Sequence, residues 1–163
     1  MSNDRQIPHF LHPSTMCVSK DPKWITTILG SCVAVCFFDQ KRAIGGINHF
    51  MLPLWNGDGL ESPKYGNVAI IQLFRKMLEF GAQKEDMVCK IFGGGELLGE
   101  HYSIYNVGQR NIELACKLIG EMDILVKSSS TGGKLGRKIY FNSATGEVLQ
   151  KYLLKTTQND SKD

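Results

Sequence analysis

The residues best able to perform chemistry in this chain are a cysteine, Cys32, and a histidine, His49. A thiol can act as a nucleophile when an imidazole within hydrogen-bond reach removes and later returns its proton. Two apolar runs at 33–38 and 43–50 flank the polar segment 39–42. This pattern predicts a β-hairpin with a short loop, in which the two side chains lie near each other.

The register of this hairpin decides whether the thiol and the imidazole meet. If Phe38 pairs with Ala43, Cys32 and His49 lie directly opposite each other on one face. Directly opposite residues have Cβ atoms about 4.5–5.5 Å apart, which suits a nucleophile and its base. A slip of one residue would place them on opposite faces. The sequence therefore predicts a Cys32–His49 dyad.

A dyad of this kind also needs an acceptor for the second imidazole nitrogen and donors for an oxyanion. Thr26 and Thr27 offer hydroxyl groups in the preceding strand-like run. Thr26 shares its parity with Cys32 and is favoured, unless Gly30 breaks that parity. The backbone N–H groups of Ser31 and Cys32 could form the oxyanion hole.

The alternative interpretation is that both residues are structural. A cysteine in an apolar run is usually a packing residue, and a single histidine after a strand is usually a satisfied polar group. Two features favour chemistry. Cys32 follows a Gly-Ser pair at the edge of the run, and its predicted partner is a histidine. Cys36, inside the apolar run, is predicted to be structural.

Composition limits the classes of protein to which this chain can belong. Its 163 residues, 42% of them hydrophobic, suit one domain with a real core. A net charge of +3 is too small to indicate nucleic acid or a membrane surface. No apolar stretch approaches the roughly 20 residues of a membrane span, and no signal-peptide core follows the N-terminus. We expect a cytoplasmic protein without membrane insertion.

The remaining candidate motifs give weaker signals. The five cysteines are irregularly spaced and include no C-x-x-C pair, which disfavours disulfides and zinc. The glycine segment 93–95 lacks a P-loop ending and predicts a tight turn or a pocket wall. His9 and His12 have no further ligand nearby, so we expect no metal site. The basic segment 132–138 predicts a solvated loop, with contact to an acidic partner as the lesser interpretation.

Hydrophobic periodicity predicts a single domain, 1–163, with a surface arm at 1–14 and a flexible tail at 155–163. Predicted strands lie at 24–29, 33–38, 43–50, 87–92, 123–128, 137–142 and 147–154, and predicted helices at 65–80 and 109–120. The segment 54–64 predicts a loop. The hairpin is apolar on both faces, so both faces must be covered. The expected fold is an α/β (α+β) layered sandwich of sheet with two or three helices.

Five sequence blocks resemble the chemoreceptor glutamine deamidases, the CheD family. They are 26–36 (Thr-Thr-Ile-Leu-Gly-Ser-Cys-Val-Ala-Val-Cys), 45–53 (Gly-Gly-Ile-Asn-His-Phe-Met-Leu-Pro), 92–95, 106–111 and 136–138. The resemblance covers roughly residues 9–154, and the leader 10–13 is similar to that of proteobacterial members. One departure is Pro-Ser-Thr at 13–15, where Pro-Gly-Glu is more usual.

The resemblance implies an activity and a set of partners. Members convert a receptor glutamine to glutamate and release ammonia through a thioester, with no metal or organic cofactor. Cys32 matches the nucleophile, His49 the base, and Thr26 the third catalytic position. The implied fold is similar to that of bacterial toxin deamidases. The implied partners are the cytoplasmic helical region of chemoreceptors and, in organisms that have one, a CheC-type phosphatase.

Two other functions remain open at this point. The chain could be a binding module that regulates a CheC-type phosphatase or another signalling protein. It could also be a cysteine hydrolase or transglutaminase that acts on a different amide. The complete set of Thr26, Cys32 and His49 argues against an inactive binding module. Product analysis would separate the other two, since free ammonia without amine incorporation indicates a deamidase.

Overall fold

A computed structural model describes residues 7–97 and 106–154. The strands are β1 (His9–Phe10), β2 (Met16–Ser19), β3 (Trp24–Leu29), β4 (Val33–Asp39), β5 (Ile44–Asn48), β6 (Met87–Gly93), β7 (Leu125–Thr131), β8 (Arg137–Asn142) and β9 (Val148–Tyr152). The helices are α1 (Gly66–Glu79) and α2 (Val107–Glu121), with a 3₁₀ turn at Lys84–Asp86. In this part of the chain no helix is long and apolar enough to cross a membrane.

The strands form two sheets that lie face to face. One has the order β1-β3-β8-β9 and the other β2-β5-β4-β6-β7. Both helices pack on the five-stranded sheet, and the four-stranded sheet covers its other face. Strand β6, helix α2 and the parallel strand β7 form one crossover unit. The predicted α/β sandwich, with a layer on each side of the hairpin, is confirmed.

Strand β4 is buried along its whole length because its residues alternate between two cores. Val35 and Phe37 face the helices and belong to the larger core. Ala34 and Cys36 face the four-stranded sheet and belong to a second core. Each fully buried large side chain contributes about 1.5–3 kcal/mol. Cys36, predicted to be structural, is a packing residue of the second core.

The predicted register of the hairpin is wrong by two residues. Phe38 pairs with Gly45 rather than with Ala43. The reason lies in the loop: the Asp39 carboxylate accepts hydrogen bonds from the N–H groups of Lys41 and Arg42, both at 3.0 Å. Asp39 therefore extends β4, and the turn closes through Ala43 at a φ of 53°. An even shift preserves the faces, so the side chains predicted to share a face still do.

The first residues of the described chain are part of the fold. The interval 7–14 was predicted as a surface arm, but β1 pairs in parallel with β3 and Leu11 is 1% exposed in the second core. Strand β2 then pairs with β5 at the sheet edge. A two-residue strand shows no alternation that a sequence pattern could reveal. Residues 1–6 of the predicted arm and the tail 155–163 lie outside the described residues.

Candidate active site

Cys32 lies where the chain passes from one sheet to the other, between the end of β3 and the start of β4. Its half-buried side chain packs at the rim of the second core. The backbone on both sides of it is fixed by the glycine segment 93–95. Gly94 N donates to Cys32 O at 2.8 Å, and Gly95 N donates to Gly30 O at 2.9 Å.

The glycine segment must lack side chains to approach Cys32 so closely. Gly93 has a φ of 107°, and a Cβ on it would lie 2.2 Å from Cys32 O. Gly94 has a φ of 72°, and a Cβ there would lie 2.4 Å from the Ile112 side chain. Only glycine combines this conformation with this contact. The segment is therefore a tight turn against the backbone of Cys32, one of the two roles predicted for it.

His49 follows β5 and is almost fully buried, with 2% exposure. Its Nδ1 lies 2.7 Å from Thr27 Oγ1, and the Thr27 hydroxyl donates to Leu11 O at 2.8 Å. The hydroxyl has a single hydrogen, so its oxygen must accept from an Nδ1–H group. Nε2 then carries the lone pair of the neutral ring. This nitrogen is buried and has no hydrogen-bond partner among the described residues.

The backbone of His49 is held by the segment that follows β1. Ser14 N donates to His49 O at 2.8 Å, and His49 N donates to Thr15 O at 3.2 Å. Ser14 adopts a φ of 66° at this turn. The family departure at 13–15 therefore lies beside the base, where it acts through backbone groups.

Cys32 and His49 flank one backbone bridge. The bridge joins Val33 and Phe50, with reciprocal hydrogen bonds of 3.1 and 3.0 Å. Cys32 precedes one bridged residue and His49 the other, so the two are diagonal neighbours on one face. Diagonal neighbours in a sheet are separated by roughly 7–8 Å, a distance across which long and aromatic side chains can interact. The predicted direct opposition is replaced by this diagonal.

The hydroxyl at His49 belongs to Thr27, not to Thr26 as expected. Thr26 Oγ1 instead donates to Ile139 O at 2.9 Å. Thr27 points inward with Ile25, both 0% exposed. The parity argument fails because the chain changes sheets between the threonines and Cys32. The sequence holds no alternation that identifies Thr27, because both threonines of β3 are buried.

Burial sets the resting protonation of the pair. It lowers the pKa of His49 from 6.5 to about 4. Burial raises the pKa of the Cys32 thiol, and the residue's own backbone N–H partly offsets this by lowering it. Near pH 7 both groups are therefore neutral. Such a pair supports general-base catalysis, in which the proton leaves the thiol as it attacks.

The site also includes a buried amide that the sequence analysis did not single out. Asn111 of α2 is 0% exposed and donates to Ser31 O and Met51 O. Its signal in the sequence was a polar residue on the buried stripe of the helix, between Gly108 and Ala115.

No metal centre accompanies these groups in the described part of the chain. Within residues 7–97 and 106–154, no cluster of three or more His, Cys, Asp or Glu could hold an ion. The His12 ring instead stacks edge-on against Phe10, with ring centroids 5.0 Å apart.

A half-buried thiol and an anchored imidazole on one face of a sheet are groups that cysteine-dependent hydrolases use as nucleophile and base. The chain matches the family model "CheD chemotactic sensory transduction" over residues 51–152. Two relatives are similar over most of their length, and both are named "Probable chemoreceptor glutamine deamidase CheD". That of Trichlorobacter lovleyi is 50% identical, covering 86% of this chain and 88% of the relative. That of Sulfurimonas denitrificans is 46% identical, covering 90% and 95%.

This chain belongs to the CheD family. A more distant likeness is to a crystal structure of Bacillus licheniformis hypothetical protein YfiH, at 14% identity and a TM-score of 0.48. It covers 80% of this chain and 62% of that one.

Proposed function

We propose that this chain is a protein-glutamine deamidase that converts glutamine side chains of chemoreceptors to glutamate and releases ammonia. The observation that carries the proposal is the His49 ring, with Nδ1 fixed on Thr27 and Nε2 left without a described partner. Cys32 lies on the same face, at the rim of the core. The printed names of the relatives supply the substrate class.

The first half of the reaction forms a thioester. His49 Nε2 takes the Cys32 proton while Sγ bonds to the glutamine Cδ, and the carbonyl π pair moves to oxygen. Backbone N–H groups at Ser31 and Cys32 stabilise this oxyanion, and neither donates to a backbone acceptor among the described residues. Each such donor contributes roughly 3–4 kcal/mol by analogy with other oxyanion holes. The tetrahedral intermediate collapses as His49 protonates the nitrogen, which leaves as ammonia.

The second half of the reaction hydrolyses the thioester. His49 takes a proton from water, and the hydroxide bonds to Cδ. Collapse of the second intermediate breaks the C–S bond, and the thiolate regains the proton from His49. The product is a glutamate side chain, and no electrons are gained or lost overall. The chain's own groups supply each step.

The proposed substrate is the cytoplasmic helical region of chemoreceptors, and the proposed location of this chain is the cytoplasm. Each deamidation adds one negative charge to a receptor helix. Like charges one turn apart destabilise a helix by tenths of a kcal/mol, roughly 0.2–0.5 per pair. The new glutamates also become methylation sites. A CheC-type phosphatase, where the organism has one, is a further proposed partner.

Mass spectrometry of a receptor cytoplasmic fragment tests this proposal. The fragment is incubated with the wild-type chain or with Cys32→Ala, and glutamine peptides are compared. We expect the mass gain of an amide-to-acid exchange at specific glutamines, with the wild type alone, together with free ammonia. Incorporation of an added amine instead would indicate a transglutaminase. No change, with both proteins folded, would favour the binding-module function.

The two threonines provide a test of how the base is oriented. Thr27→Val removes the acceptor for His49 Nδ1–H, so we expect kcat for ammonia release to fall about 10- to 100-fold, part of what a general base contributes. Thr27→Ser should restore most of it. Thr26→Val is the matched control, since its hydroxyl bonds Ile139 O, and should change kcat less than about threefold. A larger loss in Thr26→Val than in Thr27→Val would return the third position to Thr26.

A further inference from the structure

We propose that Asn111 is a positioning residue of this active site, whose side-chain amide holds the Ser31–Cys32 peptide so that the Cys32 N–H faces the reacting oxygen. The inference rests on the proposed function and deepens it. Asn111 Nδ2 donates to Ser31 O at 3.0 Å and to Met51 O at 3.1 Å. The residue thereby joins the segment that carries Cys32 to the segment that carries His49.

The side-chain amide of Asn111 lies where the backbone hydrogen bonds between the Cys32 segment and the His49 segment end. The Val33–Phe50 bridge is isolated from the β4–β5 ladder and lies next to the site. Just beyond it, the carbonyls of Ser31 and Met51 both receive the Asn111 amide instead of a strand partner. One side chain therefore links the two segments at the point where the ladder ends.

Peptide planarity connects this contact to catalysis. Ser31 C=O and Cys32 N–H belong to one peptide unit and point in opposite directions in its trans form. A hydrogen bond that fixes the carbonyl therefore fixes the N–H as well. That N–H lies against its own Sγ, where it lowers the pKa of the thiol. A backbone N–H at the nucleophilic residue is a usual donor to the oxyanion in acyl transfer, and this is the role proposed for it here.

The identity of the residue fits this role. Both partners are carbonyl oxygens, so the NH₂ end of Asn111 must face them and the orientation of the amide is settled. Its Oδ1 is buried without a hydrogen-bond partner among the described residues, which costs about 1–3 kcal/mol. Helix α2 can lie close to the glycine segment because Gly108 has no side chain. A Cβ at this position would be 2.5 Å from Gly94 O. An apolar side chain would avoid the unpaired oxygen and leave both carbonyls without a donor.

Kinetics of Asn111→Leu, with Ser143→Ala as control, test the inference. Ser143 is also 0% exposed and bonds Lys23 N and Asp21 O, at the other end of β3 from the site. We expect Asn111→Leu to lower kcat on the receptor fragment about tenfold or more, since loss of an oxyanion donor costs about 10²–10³. KM should stay within about twofold. Ser143→Ala should lower the melting temperature and leave kcat unchanged.

A second readout does not depend on the substrate. The pH dependence of Cys32 alkylation by iodoacetamide gives the pKa of the thiol, which should rise in Asn111→Leu and not in Ser143→Ala. If the wild type does not deamidate the fragment, the proposed function fails, and the alkylation profile alone decides the role of Asn111. An unchanged profile with unchanged kcat would overturn the inference and leave Asn111 a purely structural residue.

If Asn111→Leu does not fold, Asn111→Asp provides a second test of the same inference. The introduced carboxylate has nearly the same shape but no donor, so kcat at pH 8 should fall. Lowering the pH protonates that carboxyl and returns one donor, so kcat should recover toward pH 5 while the wild type stays flat. A profile parallel to that of the wild type would contradict the proposal.

Discussion

Cys32→Ala is expected to abolish deamidation and to leave the fold intact. The thiol is the proposed nucleophile, and removal of a nucleophile from a catalytic unit costs about 10⁴-fold or more in kcat. The side chain is half-buried at the rim of the second core, so loss of its sulfur opens little cavity. Ammonia release from the receptor fragment measures the first effect, and thermal unfolding measures the second.

Cys36→Ala is the matched control for this experiment. Cys36 lies in β4, four residues after Cys32 and on the same face, but it is 2% exposed within the second core. We expect it to lose about 1 kcal/mol of stability and to keep its kcat, the reverse of Cys32→Ala. Retained activity in Cys32→Ala would instead assign the nucleophile to another thiol, of which Cys17 is also half-buried beside this core.

The sequence predicted the layers of this fold because they depend on hydrophobic pattern. Helices α1 and α2 begin and end within two residues of the predicted bounds. The two-sided burial of β4 also followed from its apolar residues. The hairpin register did not follow, because it is set by side-chain hydrogen bonds of Asp39 in the loop. Side-chain hydrogen bonds in a loop depend on its three-dimensional shape, which the alternation of apolar and polar residues does not predict.

For the candidate site, too, the sequence predicted residues and faces but not the contacts that orient them. Cys32 and His49 were predicted from residue type and from a shared face, and that face is preserved by an even shift of register. The hydroxyl at His49 was expected from Thr26 and comes from Thr27, because parity does not pass through the turn between β3 and β4. The contacts of Asn111 and of the Leu11 carbonyl were not predicted, because each joins elements that are far apart in the sequence. Residues that orient others are recognised by their contacts, and these appear only in three dimensions.

His49→Asn is expected to remove the base while keeping its anchor. The shorter amide can still donate to Thr27 Oγ1, but it has no counterpart of Nε2. General-base catalysis contributes about 10²–10⁴-fold, so kcat for ammonia release should fall by that factor. Cys32 alkylation at neutral pH should also slow, because no base is left to take its proton. Unchanged alkylation would remove His49 from the role of activating base.

The same variant makes an independent prediction about stability. Because burial lowers the pKa of His49 from 6.5 to about 4, the unfolded chain binds a proton in this interval and the folded chain does not. The stabilisation is thus complete above pH 6.5 and is lost as the pH falls to 4, by about 3 kcal/mol. Urea unfolding at several pH values measures this loss, which His49→Asn should lack.

The difference in the pH dependence of stability between the wild type and His49→Asn reports the imidazole alone. Asp39 and Asp86 also have lowered pKa values, from hydrogen bonds with their neighbours, but both titrate in the wild type and the variant alike. Equal pH slopes would mean that folding does not lower the pKa of His49, so that the folded ring gains a proton as the pH falls through 6.5. A charged ring has no lone pair on Nε2 and could not accept the thiol proton. The stability curve therefore tests the protonation state that the mechanism requires, without any substrate.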